Sequence, residues 1–264
     1  MRIALYQGPV ETPDPEVGLA AIAGAARRAA AAGARLVVAP EMSVTGYAIG
    51  AQRVAALAEP VPGAYTQRMA EVAAETGVAI AFGQPERTAS GVANSVQVVD
   101  RDGSHLAGYR KAHLYGDLDR DCFVPGDVGV VQFDLGGVVV GVLICYDVEF
   151  PEAVRAHAVA GTELLLVPTG LMDPYGTVST LLVPARALES QLFLAYVNRI
   201  GREGEYGYCG SSCLIAPDGT ELARAGRGEE LLVADVDPAV LHASRAVNTY
   251  LTDRRPELYA APPA

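Results

Sequence analysis

Short, wholly apolar runs recur along this chain, and they constrain its fold more than any other feature. Residues 36–40, 78–83, 138–144, 164–167 and 193–197 each read as a strand with little or no polar face. A strand apolar on both faces needs cover on both faces, which an α/β sheet flanked by helices supplies. Helical patterns alternate with these runs. Residues 17–32 carry Leu19, Ile22, Ala23 and Ala26 at helical spacing and stop at Gly33, and residues 63–76 end at Gly77. Residues 151–159 open on a proline, which suits a first helical turn, and residues 178–190 form a further predicted helix. Residues 2–7 open as a strand and Pro-rich residues 9–15 as a loop. Hairpins are predicted for 94–99 with 105–109 around Asp102-Gly103, for 130–134 with 138–144 around Gly136-Gly137, and for 212–216 with 221–225 around residues 217–219. Residues 231–236 are the last predicted strand. No linker and no internal repeat is found, so residues 1–247 read as one mixed α/β domain with sheets inside and helices outside. Residues 248–264 read as a polar, Pro-punctuated docking arm.

At 264 residues the chain lies at the upper edge of what one core sustains. Its net charge of −11 argues against a phosphate-backbone partner, so no nucleic acid is expected. No apolar run approaches the roughly 18 residues of a membrane span, and no basic-then-apolar leader precedes the first strand, so a cytoplasmic protein without a membrane partner is expected. Cys122, Cys145, Cys209 and Cys213 are expected to be reduced thiols. The CGSSC spacing of Cys209 and Cys213 is metal-like, but none of the four histidines is placed to complete a site, and no metal or cofactor is expected.

Lys111 is the only lysine, against nineteen arginines. A lysine kept against that bias marks a place where a compact ammonium is needed and a planar guanidinium does not fit. It ends a predicted strand in the segment YRKAHL. Glu41 follows the apolar strand 36–40, and Cys145 stands where the apolar run 138–144 turns toward a helix. Ends of strands are where open α/β sheets place ligands.

The segments VAPEMSVTGY around Glu41, YRKAHL around Lys111, FVPGD at 123–127 and GVLICYDVEFPE around Cys145 resemble the carbon–nitrogen hydrolase (nitrilase/amidase) superfamily over essentially the whole chain. The resemblance implies an α/β fold arranged as a four-layer αββα sandwich of two mixed sheets, a Glu–Lys–Cys triad at Glu41, Lys111 and Cys145, and a homodimer or higher homo-oligomer. It also implies a second carboxylate after the lysine. Asp119 stands eight residues beyond Lys111, one methylene shorter than the usual glutamate, with Asp117 as its neighbour and alternative.

The residues support the same chemistry on physical grounds. A thiol is a modest nucleophile until a base takes its proton, and Glu41 is the candidate base. Lys111 and the Tyr146 N–H are candidate donors to the oxyanion of a tetrahedral intermediate. His113 is expected to orient a loop, Arg155 to tie down Asp147 or Glu152, and the other three cysteines to be structural. The absence of Trp, with Cys-Tyr-Asp and Phe-Pro-Glu, is similar to the aliphatic and ω-amidase branches, and the wider pattern to 5-aminopentanamidase and stereoselective carboxamide amidases. The expected reaction is hydrolysis of a small primary amide. N-carbamoyl amine or nitrile hydrolysis, and a non-catalytic metabolite-binding role, are the alternatives. For a substrate ammonium the candidate contacts are Asp173, Glu149 and Tyr47.

Overall fold

Alternate residues of the central strands of the first sheet enter two different apolar environments. In β1 (Arg2–Gln7), Ile3 and Leu5 face one core while Ala4 and Tyr6 face another. The same alternation divides Leu36 and Val38 from Val37 in β2 (Leu36–Val38), and Ala79 and Ala81 from Ile80 and Phe82 in β3 (Ala79–Thr88). This two-sided burial is what the apolar runs require. The computed structural model describes residues 1–9 and 14–259. The middle of the predicted Pro-rich loop and the tip of the predicted arm lie outside the described residues.

Two antiparallel strands, β4 (Gly91–Val99) and β5 (His105–Arg110), extend the first sheet from β3. The second sheet starts with β6 (Gln132–Asp134) and β7 (Val139–Val142), then β8 (Leu164–Pro168) and β9 (Phe193–Val197). A separate two-stranded hairpin follows, β10 (Ile200–Glu203) and β11 (Tyr206–Cys209), and then β12 (Cys213–Ile215) and β13 (Glu221–Arg224) complete the second sheet. The last strand, β14 (Glu230–Asp235), returns to the first sheet beside β1.

The orders are β14-β1-β2-β3-β4-β5 and β6-β7-β8-β9-β12-β13. Read in those directions, both sheets run antiparallel, parallel, parallel, antiparallel, antiparallel. The chain therefore uses one pairing pattern twice, although no repeat is visible in the sequence. Pairing direction depends on where the connections run, not on which apolar residue fills each position, so it persists without sequence similarity.

Helices cover the outer faces. α1 (Pro15–Ala31) is capped by Asp14, whose side chain accepts from the Glu16 N–H at 3.0 Å. Its Leu19, Ile22 and Ala26 pack with Met69 and Val72 of a later helix against the first sheet. Between them lies the short α2 (Ala51–Leu57), and the later helix is α3 (Ala64–Thr76). After the small α4 (Gly116–Arg120), α5 (Pro151–Val159) and α6 (Val183–Ser190) bring Val154, Ala158, Val183 and Ala187 onto the second sheet. The inner faces of the two sheets meet in one cluster joining Ile3, Leu36 and Val96 to Val140, Leu164 and Phe193. The result is the expected four-layer sandwich. α7 (Pro238–Val247), unpredicted, buries Leu241 and Ser244. No helix among the described residues is long and apolar enough to cross a membrane.

His157 lies on the buried face of α5, its Nδ1 3.0 Å from Thr162 Oγ1 and its Nε2 without a hydrogen-bond partner among the described residues. Burial depresses its pKa from 6.5 to about 4, with nearby Asp147 opposing the shift. Between those two values the unfolded chain binds a proton that the folded chain refuses, so stability falls as pH drops from about 6.5 through about 4. The loss is on the order of 3 kcal/mol. In His157→Gln, urea midpoints measured across that window should depend less on pH than in the parent protein. An unchanged pH slope would contradict this assignment.

Candidate active site

Three strand exits bring Glu41, Lys111 and Cys145 together. β2 ends at Val38 and the chain turns immediately, placing Glu41 in the loop behind it. β5 ends at Arg110, and the odd-numbered side that holds Ala107 and Tyr109 in the inter-sheet core continues to Lys111. The FVPGD segment fixes this exit, since the Gly126 N–H donates to the Lys111 carbonyl at 2.8 Å. The run predicted as a strand to residue 144 stops at Val142. Leu143 and Ile144 lead into a 3₁₀ turn, Cys145–Glu149, which Cys145 begins.

Lys111, Glu41 and Asp119 are all fully buried. Lys111 Nζ lies 2.8 Å from Glu41 Oε1 and 2.7 Å from Asp119 Oδ2. Asp119 rather than Asp117 therefore meets the lysine; Asp117 is exposed beside Arg120. The Tyr47 hydroxyl donates to Asp119 Oδ1 at 2.6 Å, and the Tyr115 N–H donates to Asp119 Oδ2 at 2.8 Å. Asn94 Nδ2 donates to Glu41 Oε1 at 2.7 Å. Glu41 Oε1 thus has two donors, while its buried Oε2 has no hydrogen-bond partner among the described residues.

That free oxygen borders Gly170, where a methyl group would come within 3.2 Å of it. Gly170 also lines the same cavity as Cys145, and Gly170 and Thr169 lie close enough to the sulfur to favour its ionised form. Glu41 Oε2 and Cys145 Sγ accordingly share Gly170 as a neighbour. Burial pushes the Cys145 thiol well above its usual range, and the Glu41 charge adds to the rise against Lys111, Thr169 and Gly170. Burial also raises Glu41, opposed mainly by Lys111. Burial pulls Lys111 down, but Glu41, Cys145 and Asp119 outweigh it and the ammonium is held well above its ordinary pKa. The site at rest therefore holds a protonated lysine and a protonated thiol.

The backbone at Cys145 is left-handed, with φ of +47°. A side-chain-bearing residue adopts this at a cost of about 1–2 kcal/mol and needs support from its surroundings. Buried Asp147 supplies it. Its carboxylate accepts from the Ile144 N–H at 3.1 Å, the His113 N–H at 2.9 Å and the Tyr109 hydroxyl at 2.9 Å. His113 Nδ1 lies 2.7 Å away and the ring stacks on Phe150, so His113 orients the loop as expected. The expected role of Arg155 does not hold. Asp147 is already saturated, and Arg155 lies on the outer side of α5 near Glu189, Arg254 and Tyr259.

Cys145 opens into a cavity of about 230 Å³ walled by Tyr47, Tyr115, Tyr146, Tyr175, Leu171 and Met172, with Glu149 as its one acidic lining residue. The Glu149 carboxylate is half-buried and makes no hydrogen bond or ion pair among the described residues; burial raises its pKa against Lys111 and Arg186. Tyr47 contributes a ring face, its hydroxyl being committed to Asp119. Asp173 does not line this cavity and pairs with Arg227 at 2.9 Å on the surface. Cys122, Cys209 and Cys213 are free thiols outside it; Cys209 Sγ meets the Leu171 carbonyl and Cys213 the Ser179 hydroxyl.

Asn94, Asp147 and Gly170 are site residues that sequence reasoning missed. Only Asn94 left a signal: it shares strand parity with Val96 and Val98, so a polar side chain was due on the inter-sheet face.

The chain matches the model of the family described as carbon-nitrogen hydrolase over residues 2–246. It is 46% identical over 260 residues to a hydrolase encoded in the pqqF 5' region of Pseudomonas protegens, covering 98% of this chain and 90% of that protein. An (R)-stereoselective amidase of a Pseudomonas species is 40% identical over 222 residues, 83% of this chain and 79% of that one. Among solved structures, an amidase from Nesterenkonia sp. superposes with a TM-score of 0.85 at 36% identity, covering 98% of this chain and 95% of that one. A Glu-to-Gln mutant of the Nesterenkonia sp. AN1 amidase shows the Michael addition of acrylamide at the active-site cysteine.

Gly170→Ala tests the shared neighbour. Its methyl would sit 3.2 Å from both Glu41 Oε2 and Tyr47 Cδ1, with no backbone atom among its three nearest neighbours. Amide turnover is expected to fall at least about tenfold with only a small loss of thermal stability. Parent-level turnover would refute this placement.

Proposed function

The chain belongs to the carbon–nitrogen hydrolase family, and from that premise we propose that it hydrolyses a small primary carboxamide to carboxylate and ammonia through a thioester on Cys145. One observation carries the reading: Glu41 Oε1 is saturated by Lys111 and Asn94, while Oε2 has no hydrogen-bond partner among the described residues and borders Gly170, which lines the cavity with Cys145.

In the proposed sequence Glu41 Oε2 takes the thiol proton as sulfur attacks the amide carbon. The carbonyl π electrons move to oxygen, and the oxyanion is stabilised by Lys111 Nζ and the N–H of Tyr146. That N–H lies in the first turn of a 3₁₀ segment, where backbone donors lack intrahelical partners. The tetrahedral intermediate collapses, its C–N bond breaks, and Glu41 delivers the proton to the departing nitrogen, releasing ammonia. Water then enters, gives a proton to Glu41 and attacks the thioester. The C–S bond breaks and the proton returns to sulfur. Because the thiol is protonated at rest, proton transfer and attack are coupled, and Glu41 is needed twice.

The acyl group of the substrate occupies the tyrosine-walled cavity. Four tyrosines and the unpaired Glu149 carboxylate suit a chain ending in an ammonium, through charge pairing and cation–π contact. An ω-amino amide such as 5-aminopentanamide is the proposed substrate class. The similarity to an (R)-stereoselective amidase supports a carboxamide in general.

Cys145→Ala should abolish ammonia release while the fold persists by circular dichroism; ordinary turnover in that variant would overturn the mechanism. Lys111→Arg should lose at least about a hundredfold in kcat, since the guanidinium has no room between two buried carboxylates. Rates within a factor of a few of the parent would refute the ammonium requirement. For the substrate class, ammonia release from pentanamide and 5-aminopentanamide is compared in the parent and in Glu149→Gln. The parent should favour the amine, and the variant should lose roughly tenfold in kcat/KM on the amine only. Equal losses on both amides would remove Glu149 from the pocket chemistry.

A further inference from the structure

Glu203 ends β10, outside the catalytic cavity, yet it is a buried carboxylate turned toward the loop that carries Tyr47. It accepts from the Tyr47 N–H at 3.0 Å on Oε1 and from the Ala48 N–H at 2.8 Å on Oε2. The Tyr208 hydroxyl also donates to Oε2, and buried Arg199 lies 3.4 Å from Oε1 while standing over the Tyr208 ring. Gly46 fits this dock closely. Its φ is +88°, and a methyl there would lie 2.6 Å from Glu203 Oε1. A carboxylate buried this deeply is retained only with such a set of donors and a counter-charge.

The contacts form a continuous series into the site. Glu203 fixes the backbone of Tyr47, the Tyr47 hydroxyl donates to Asp119 at 2.6 Å, and Asp119 holds Lys111 at 2.7 Å. The same hairpin also braces the opposite cavity wall. The Asp173 N–H donates to the Gly207 carbonyl at 2.9 Å, and the Cys209 N–H to the Leu171 carbonyl at 3.1 Å. We infer that Glu203 is a positioning residue for the amide hydrolysis, acting through the Tyr47 hydroxyl on the Asp119–Lys111 pair. In Glu203→Gln an NH2 donor replaces one acceptor oxygen, so the Tyr47 and Ala48 N–H groups no longer both keep their acceptors, and the Tyr47 hydroxyl loses its fixed approach to Asp119.

This inference rests on the proposed amide hydrolysis, and a double-mutant cycle with a second, turnover-independent readout separates the two. Glu203→Gln, Tyr47→Phe and the double variant are compared in kcat and KM for ammonia release, and in the pH profile of Cys145 alkylation by iodoacetamide. Each single variant should lose roughly tenfold to a hundredfold in kcat with a smaller change in KM. The double variant should be no worse than the poorer single, because both act through one hydroxyl. Both single variants should shift the alkylation profile in the same direction, with no further shift in the double. Multiplying losses in the double variant, or a Glu203→Gln enzyme with parent kcat and profile, would overturn the inference. Should Glu203→Gln fail to fold, Tyr208→Phe and Glu203→Asp carry the same cycle, non-additivity with Tyr47→Phe again being required. If the parent releases ammonia from no amide, the functional reading fails, and the alkylation cycle alone still decides the role of Glu203.

Discussion

One buried ammonium between two buried carboxylates holds this site together. Lys111 and Asp119 come from one segment and Glu41 from a loop seventy residues earlier than Lys111, and none retains solvent contact. Burying any one of them alone would cost several kcal/mol, and removing one partner from such a set typically costs about 3–5 kcal/mol. The three are therefore interdependent: the fold is obliged to deliver all of them or bury none. The ammonium is what makes this possible. It is compact enough to sit within 3 Å of both carboxylates, and the bias toward arginine elsewhere shows that charge alone did not select it.

The rest of the architecture brings rigid strand ends to that cluster. The two sheets share a pairing pattern, and Glu41, Lys111 and Cys145 all follow strands that face the common inter-sheet core. Each exit is held by polar contacts that apolar packing cannot supply. Gly126 fixes the Lys111 carbonyl, Asp147 holds the left-handed turn at Cys145, and Glu203 docks the loop beyond Glu41. A strained backbone at Cys145 persists because Asp147 receives two backbone N–H groups and a tyrosine hydroxyl across it. Packing sets the approximate position of each loop, and these buried carboxylates fix the remaining ångström.

Much of this was legible in the chain because its signals are local. Runs such as 164–167 are apolar on both faces, Asp102-Gly103 is a tight-turn pair, and Gly77 terminates a helix; each carries its own conformation. Glu41, Lys111 and Cys145 were legible because each stands just beyond such an element. What escaped depends on partners distant in sequence. Asp147 looked like a target for Arg155 on the next helix, yet its donors include Tyr109 and His113, more than thirty residues upstream. Asp173 looked available to a substrate until Arg227, on a far loop, claimed it. The strand predicted to 144 overran because Leu143 and Ile144 are as apolar as the strand itself; burial continues there although the ladder has ended.

Burial also constrains the chemistry. A pocket that raises a thiol rather than lowering it forgoes a standing thiolate, in contrast to sites that pair cysteine with a cation at a helix N-terminus. The compensation lies in where charge ends up during reaction. At rest the lysine sits between two carboxylates; once Glu41 accepts a proton, one of them is neutral and the ammonium's field is directed more fully at new negative charge nearby. In the proposed mechanism the proton that leaves sulfur therefore strengthens the electrostatic support for the oxyanion that sulfur's attack creates. That proposed coupling requires the base and the cation to be hydrogen-bonded partners, and it fits a Glu41 that gives one oxygen to Lys111 and leaves the other without a hydrogen-bond partner among the described residues.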